Sequence, residues 1–103
     1  MNISVRQQGG KARVVLKGRF DFSSRHDFRE ACDDALSGSP DTDVVVDLRD
    51  LDYLDSAALG MLLLLNDRGR AAGKTISLAA RPGVVCDVLR VAKFDALFAF
   101  DVQ

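Results

Sequence analysis

The stretch Val44-Val45-Val46-Asp47-Leu48-Arg49-Asp50-Leu51-Asp52-Tyr53-Leu54-Asp55-Ser56-Ala57-Ala58-Leu59-Gly60 decides the fold. Its first part, 43–48, holds an unbroken β-branched triplet of the kind that suits a central strand covered on both faces. A tight acidic loop follows, carrying Asp50, Asp52 and Asp55. Ser56 then stands where a helix over 56–72 begins, and Gly73 ends that helix. On a wheel of 100° per residue, Ala58, Met61, Leu62, Leu65, Gly69 and Ala72 fall on one side, the side expected against a sheet. Ser56, Gly60, Leu63 and Asp67 fall opposite, with Leu64 flanking them.

Outward from this stretch, the chain alternates strands and helices. Toward the amino end, 2–7 alternates around Ile3 and Val5, Gln8-Gly9-Gly10 makes a turn, and 12–18 alternates around Val14 and Leu16, which together read as a hairpin. Ser23-Ser24 provides an amino-terminal cap for a helix whose buried stripe is Phe28, Ala31, Cys32, Ala35 and Leu36. Gly38 and Pro40 close it. Toward the carboxyl end, 74–80 reads as a strand with Ile76 and Leu78 on one face. Arg81-Pro82 opens a third helix with proline at its first position, striped by Val84, Val85, Val88, Leu89 and Ala92. A short last strand covers 97–100. The expected fold class is α/β: one domain over 1–103, a mixed sheet of about five strands packed against helices.

Composition narrows the function. The chain has 103 residues, 48% hydrophobic and 28% charged, with a formal net charge of −1. Such a balance argues against a general nucleic-acid binder or a binder of acidic membranes. The longest apolar run, 57–65, is well short of the roughly twenty residues that span a bilayer. No signal-peptide pattern opens the chain, and two cysteines without metal-like spacing read as free thiols, so a cytoplasmic protein is expected. His26 is the sole histidine. It lies off the apolar stripe of its helix and reads as a solvated residue. No metal site, cofactor or catalytic residue is expected.

Ser56 has two readings. Its oxygen is placed to cap the helix by accepting an unpaired amide hydrogen of the first turn. Alternatively it is a phosphoacceptor, because a helix amino terminus favours negative charge while Asp55 and Asp52 alongside oppose it. A phosphate there leaves the fold intact and changes the surface sharply. Leu63 and Leu64 also have two readings: an apolar patch for a partner, or residues covered by neighbouring loops. Gly60, costing about 1 kcal/mol against alanine inside a helix, suits close approach of another chain.

The segment Asp55-Ser56-Ala57-Ala58-Leu59-Gly60, after a strand ending Val46-Asp47-Leu48, resembles the STAS domain family. Gly18-Arg19-Phe20-Asp21 is similar to that family's glycine-x-leucine-aspartate element, and Gly73-Lys74 and 82–94 follow the same plan, so the likeness covers essentially the whole chain. Its wording looks closest to stand-alone bacterial anti-sigma factor antagonists. The resemblance implies a transcriptional partner switch whose acceptor, Ser56, is phosphorylated by a GHKL-type serine kinase that is itself the anti-sigma factor. Unphosphorylated antagonist binds the kinase and frees a sigma factor; phosphorylated antagonist lets go; a serine phosphatase resets it. Asp55 would position Ser56, Asp21 would lie on the partner-facing loop, and Gly60, Leu63, Leu64 and Asp67 would complete the surface. The implied sheet has an antiparallel edge strand and otherwise mainly parallel neighbours. Ala57 and Ala58 depart from the family, which often has a second hydroxyl residue and then glycine; Ser56 is left as the motif's one acceptor.

Other classes fit less well. A serine hydrolase wants a Gly-x-Ser-x-Gly elbow, and Ser56 is flanked by Asp55 and Ala57. Phosphate-cradling enzymes want a glycine-rich loop or a Walker pattern, and neither occurs. A phosphoaspartate receiver, suggested by Asp47 at a strand end, lacks the upstream acidic pair. A STAS module that senses a ligand or acts as a scaffold without phosphorylation stays open, as does weak homo-oligomerisation through the Leu63/Leu64 patch.

Overall fold

The computed structural model describes residues 1–103. Five strands form one sheet in the order β1-β2-β3-β4-β5. β1 (Asn2–Gln8) and β2 (Lys11–Phe20) make the antiparallel hairpin, closed by Gly9 and Gly10 at φ of 55° and 80°. Two successive positive φ values give a primed turn, whose twist matches that of the flanking strands. β2 then pairs in parallel with β3 (Asp43–Leu54), β3 with β4 (Ile76–Ala80), and β4 with β5 (Ala99–Val102). The crossovers carry α1 (Arg25–Leu36), α2 (Ser56–Ala71), and α3 (Val84–Val91) with the single turn α4 (Phe94–Leu97). The mixed sheet with one antiparallel edge pair agrees with the expectation from sequence.

Because the strands follow one another across the sheet, three right-handed crossovers put every helix on the same face. Val14, Leu16, Val44, Val46, Leu48, Ile76 and Leu78 therefore meet Phe28, Leu62, Leu65, Cys86 and Leu89 in one core of 23 buried residues. The other face has no helix. This corrects the reading of β3 as covered on both sides: Val45, Asp47 and Ala79 are buried but lie outside that core. Polar side chains close over them. The Asp47 carboxylate accepts from Arg13 (Nη2, 3.0 Å) and from Arg49 (Nη2, 2.7 Å; Nε, 2.9 Å), and its side chain is only 5% exposed.

Four further boundaries differ from the sequence reading, each for a local reason. β3 does not stop at Leu48 but runs on to Leu54, so the expected acidic loop is strand. Leu51 and Leu54 are buried on it, and β2 follows it through two register shifts flanking Gly18, whose φ of 95° suits a bulge. α3 begins at Val84, because Gly83 at φ 149° breaks the helical path and leaves Pro82 outside. Residue 97 belongs to α4, not to the last strand, since Lys93 in the left-handed region ends α3 and restarts the chain with the Phe94 and Phe98 rings 5.3 Å apart. Ala72, placed by the wheel against the sheet, is exposed because helical dihedrals end one residue earlier.

Two ties fix the other end of the sheet. The buried Lys74 donates to the carbonyls of Ser39 (2.7 Å) and Thr42 (2.8 Å), and Gly69 packs so tightly that a Cβ there would meet Ile76 at 2.5 Å. Cys32 and Cys86 are free and buried, and burial pushes the Cys32 thiol up to about 12.

Burial pushes the Asp47 carboxyl up, but hydrogen bonds from Arg49 and Arg13 outweigh it and hold it down at about 2. A depressed native pKa adds stability that is complete above the unfolded value near 4 and is lost as pH falls toward 2. Asp47→Asn is therefore expected to cost about 2 kcal/mol at neutral pH. In urea titrations the gap between variant and wild type should close between about pH 4 and pH 2; a gap independent of pH would show that the two arginines do not hold the charge.

Candidate functional site

β2 and β3 end side by side, with Phe20 opposite Leu54, so the chain leaves both strands at the same edge of the sheet. That edge is the carboxyl end of parallel strands, where α/β folds present loops and helix amino termini. Asp21 and Asp55 are the next residues of the two strands, and the topology brings them together. The Asp55 amide donates to the Phe20 carbonyl at 3.3 Å. Its carboxylate then holds both segments: one oxygen accepts from the Ala58 amide at 2.9 Å and the other from the Phe22 amide at 3.3 Å. One side chain fixes the start of α2 against the loop that leaves β2.

This geometry corrects the capping role proposed for Ser56. The residue with extended dihedrals before α2 is Asp55 (φ −109°, ψ −178°), and its carboxylate is the cap; Ser56 is the first helical residue. Its side chain is exposed, and the cap does not use its hydroxyl. At α1 the N-cap residue is Ser24, one of the two serines expected there, but its side chain makes no cap bond. Asp21, not Ser23 or Ser24, accepts from the Ser23 amide (3.0 Å) and hydroxyl and caps a short 3-10 turn over Phe22–Ser24. The Ser23 hydroxyl bond lowers the Asp21 pKa, so the site keeps its negative charge.

Along α2 the outer face is as the wheel placed it. Gly60, Leu63, Leu64 and Asp67 are all exposed, Leu63 at 39% and Leu64 at 64%, and no loop covers the two leucines. At 1.5 Å per residue, Gly60 lies about 6 Å along the helix from Ser56, Leu64 about 12 Å and Asp67 about 16 Å. Ser56, Asp55 and Asp21 thus form a cluster, Gly60 borders it, and Asp67 stands apart at the far end.

Sequence reading passed over one residue of the cluster. Phe22 is 59% exposed, with the Arg25 guanidinium 4.1 Å from its ring centroid and donating to its carbonyl at 3.1 Å. Strand alternation would send Phe22 inward with Phe20; the Asp21 cap ends the strand first and turns Phe22 out. Asp-x-Ser at a strand end was the available signal. Tyr53, with Arg19 stacked at 4.1 Å, adds a second exposed ring at the end of β3.

The division of labour between Asp55 and Ser56 is measurable. Asp55→Ala removes a cap and a cross-loop bond and is expected to cost about 1–2 kcal/mol. Ser56→Ala should stay within about 0.5 kcal/mol of wild type. Denaturant unfolding of both variants checks this; equal losses would return the capping role to Ser56.

Comparison with known proteins agrees with this architecture. The family model described as Mlab, STAS domain, matches residues 3–99. A STAS-domain containing protein of Pseudomonas aeruginosa (strain UCBPP-PA14) is 42% identical over 90 residues, 87% of each chain. Among solved structures, an anti-sigma factor antagonist from Mycobacterium paratuberculosis superposes with a TM-score of 0.83 at 20% identity, over 97% of this chain and 84% of that one. The anti-sigma factor antagonist SpoIIAA in its unphosphorylated form gives a TM-score of 0.71 at 14% identity, over 99% of this chain and 87% of that one. At those identities the likeness is one of fold. The family match over nearly the whole length, together with the curated relative, shows that this chain belongs to the STAS-domain family.

Proposed function

We propose that the chain is an anti-sigma factor antagonist working as a phosphorylation-controlled partner switch in the cytoplasm. The observation that carries this reading is the exposed Ser56 at the first position of α2, relieved of capping by Asp55 and bordered by uncovered Gly60, Leu63 and Leu64. Two solved structures with this fold are described as anti-sigma factor antagonists. The partner would be a GHKL-type serine kinase that doubles as the anti-sigma factor, with a serine phosphatase to reset the switch. The chain itself is assigned no catalytic step.

The physical logic is a separation of affinity from control. Exposed leucines anchor a partner by losing contact with water. A phosphate on Ser56 adds about −1.5 to −2 charges beside Asp55 and near Asp21. The amide hydrogens and partial positive charge at the start of α2 offset part of that repulsion, typically 0.3–1 kcal/mol for a charge in this position. The fold survives, and the partner meets a surface of much greater negative charge.

Incubation with the cognate kinase and ATP should add one phosphate to the wild-type mass and none to Ser56→Ala; a labelled Ser56→Ala protein would sink the site assignment. Leu64→Asp should melt within a few degrees of wild type yet fail to capture the kinase, whereas a large loss of stability would place Leu64 in the core.

Gly60→Ala separates folding from binding more sharply. A Cβ at Gly60 meets nothing within 4 Å, so the variant should be more stable by about 0.5–1 kcal/mol. If a partner's backbone uses the space that glycine leaves, kinase binding falls at least tenfold in this stabilised protein. Unchanged affinity by calorimetry would remove Gly60 from the interface.

A further inference from the structure

We propose that the groove between α1 and α2 is the docking site for an acidic amphipathic helix of a partner protein. The inference rests on reading the outer surface of α2 as partner-facing, and adds to it a second, separately testable contact. The groove encloses about 810 Å³. Its floor is apolar: Phe28, Cys32 and Leu65 are buried core residues, Met61 is half-buried, and Leu64 rises from its edge. Its rim is basic, with Arg25, Arg29 and Arg68, and no carboxylate lines it. In a chain with 14 basic and 15 acidic residues, that is a local excess of positive charge.

The charge is available to a partner. Arg29 is exposed and forms no salt bridge. Arg25 is spent on the Phe22 ring and carbonyl, neither of which neutralises it. Arg68 pairs with Asp33, but both side chains are about half exposed, so the pair is weak and exchangeable. His26, which also lines the groove, faces Glu30 at 3.5 Å.

Dimensions choose the occupant. The groove spans residues 25–32 of α1 and 61–68 of α2, about 10 Å or two helical turns. That length takes apolar anchors at i, i+3, i+4 and i+7 of a docked helix, while carboxylates on its flanks reach the arginines. The apolar surface also continues out of the groove over Leu64 to Leu63, more than a small amphiphile would cover and in line with a protein segment.

Fluorescence anisotropy with a labelled designed peptide tests this. The peptide carries leucines at i, i+3, i+4 and i+7 with flanking glutamates, and its control has lysines in place of the glutamates. The glutamate peptide should bind wild type at least tenfold more tightly than the lysine peptide. Affinity should fall about fivefold or more in Arg29→Glu, hold in Arg29→Lys, and weaken as salt rises. A melting curve first establishes that Arg29→Glu is folded. Equal binding of the two peptides, no binding, or insensitivity to Arg29→Glu overturns the proposal. So does saturable binding of dodecanoate without peptide binding, or concentration-dependent dimerisation that Arg29→Glu abolishes. Ser56 phosphorylation, read in parallel by intact mass, keeps the two readings apart. Normal labelling with failed peptide binding sinks the groove alone; absent labelling with Arg29-dependent peptide binding sinks the switch alone.

Discussion

Three crossovers stepping in one direction across the sheet constrain everything else in this molecule. Right-handed connections between sequential parallel strands leave no helix for the second face. The domain must therefore close that face with side chains from the strands themselves. It does so with Asp47, held by Arg13 and Arg49, over Val45 and Ala79. A buried carboxylate is costly unless paired and hydrogen-bonded, and here both conditions are met by residues of β2 and β3. The same constraint stacks α1 and α2 side by side on the other face, so that α2 turns one side to the sheet and must leave the other outward.

The site depends on a smaller device. Parallel pairing delivers Asp21 and Asp55 to one edge, but proximity alone would leave two independent loops. The Asp55 carboxylate joins them through the amides of Ala58 and Phe22. Capping by Asp55 is also what frees Ser56. A serine whose oxygen is needed by the helix could not be modified without loosening it, whereas a first-turn serine next to a capping aspartate can carry new charge at little cost to the fold. A modification at position 56 would therefore not have to loosen α2, because its neighbour provides the cap.

Much of this was legible in the chain. The hairpin, the three long helices and the mixed sheet follow from local signals: paired glycines, apolar stripes of period 3.6, and short β-branched runs. The outward side of α2 was legible for the same reason, because a wheel needs only the helix to be right. The errors have a common physical origin. Leu51 and Leu54 sit among aspartates, and only pairing with β2 makes that segment strand. Asp55 and Ser56 are both good caps, and the choice depends on where β3 ends, which is a tertiary fact. Phe22 was hidden because alternation inside a strand says nothing about the residue at which the strand stops. The arginine rim of the α1–α2 groove joins residues about forty apart in sequence and leaves no local pattern.

Distance along α2 then decides how a single phosphate could act. Screening at physiological salt leaves a surface charge a reach of about 8 Å. Gly60 lies inside that reach from Ser56, at about 6 Å along the axis, and Leu64 lies outside it, at about 12 Å. Phe22 shares the near end, since the Asp55 cap of α2 binds its amide. Phosphate would therefore bear on whatever approaches Gly60 and the Phe22 loop, and scarcely on whatever covers Leu64. A partner held at both ends would lose the near contact first and keep the far one. Release would then proceed in two steps, with the charge at position 56 setting only the first. A chain with one histidine and no assigned catalytic group would need nothing more for such a role, because the proposed chemistry would be supplied from outside and the geometry by α2.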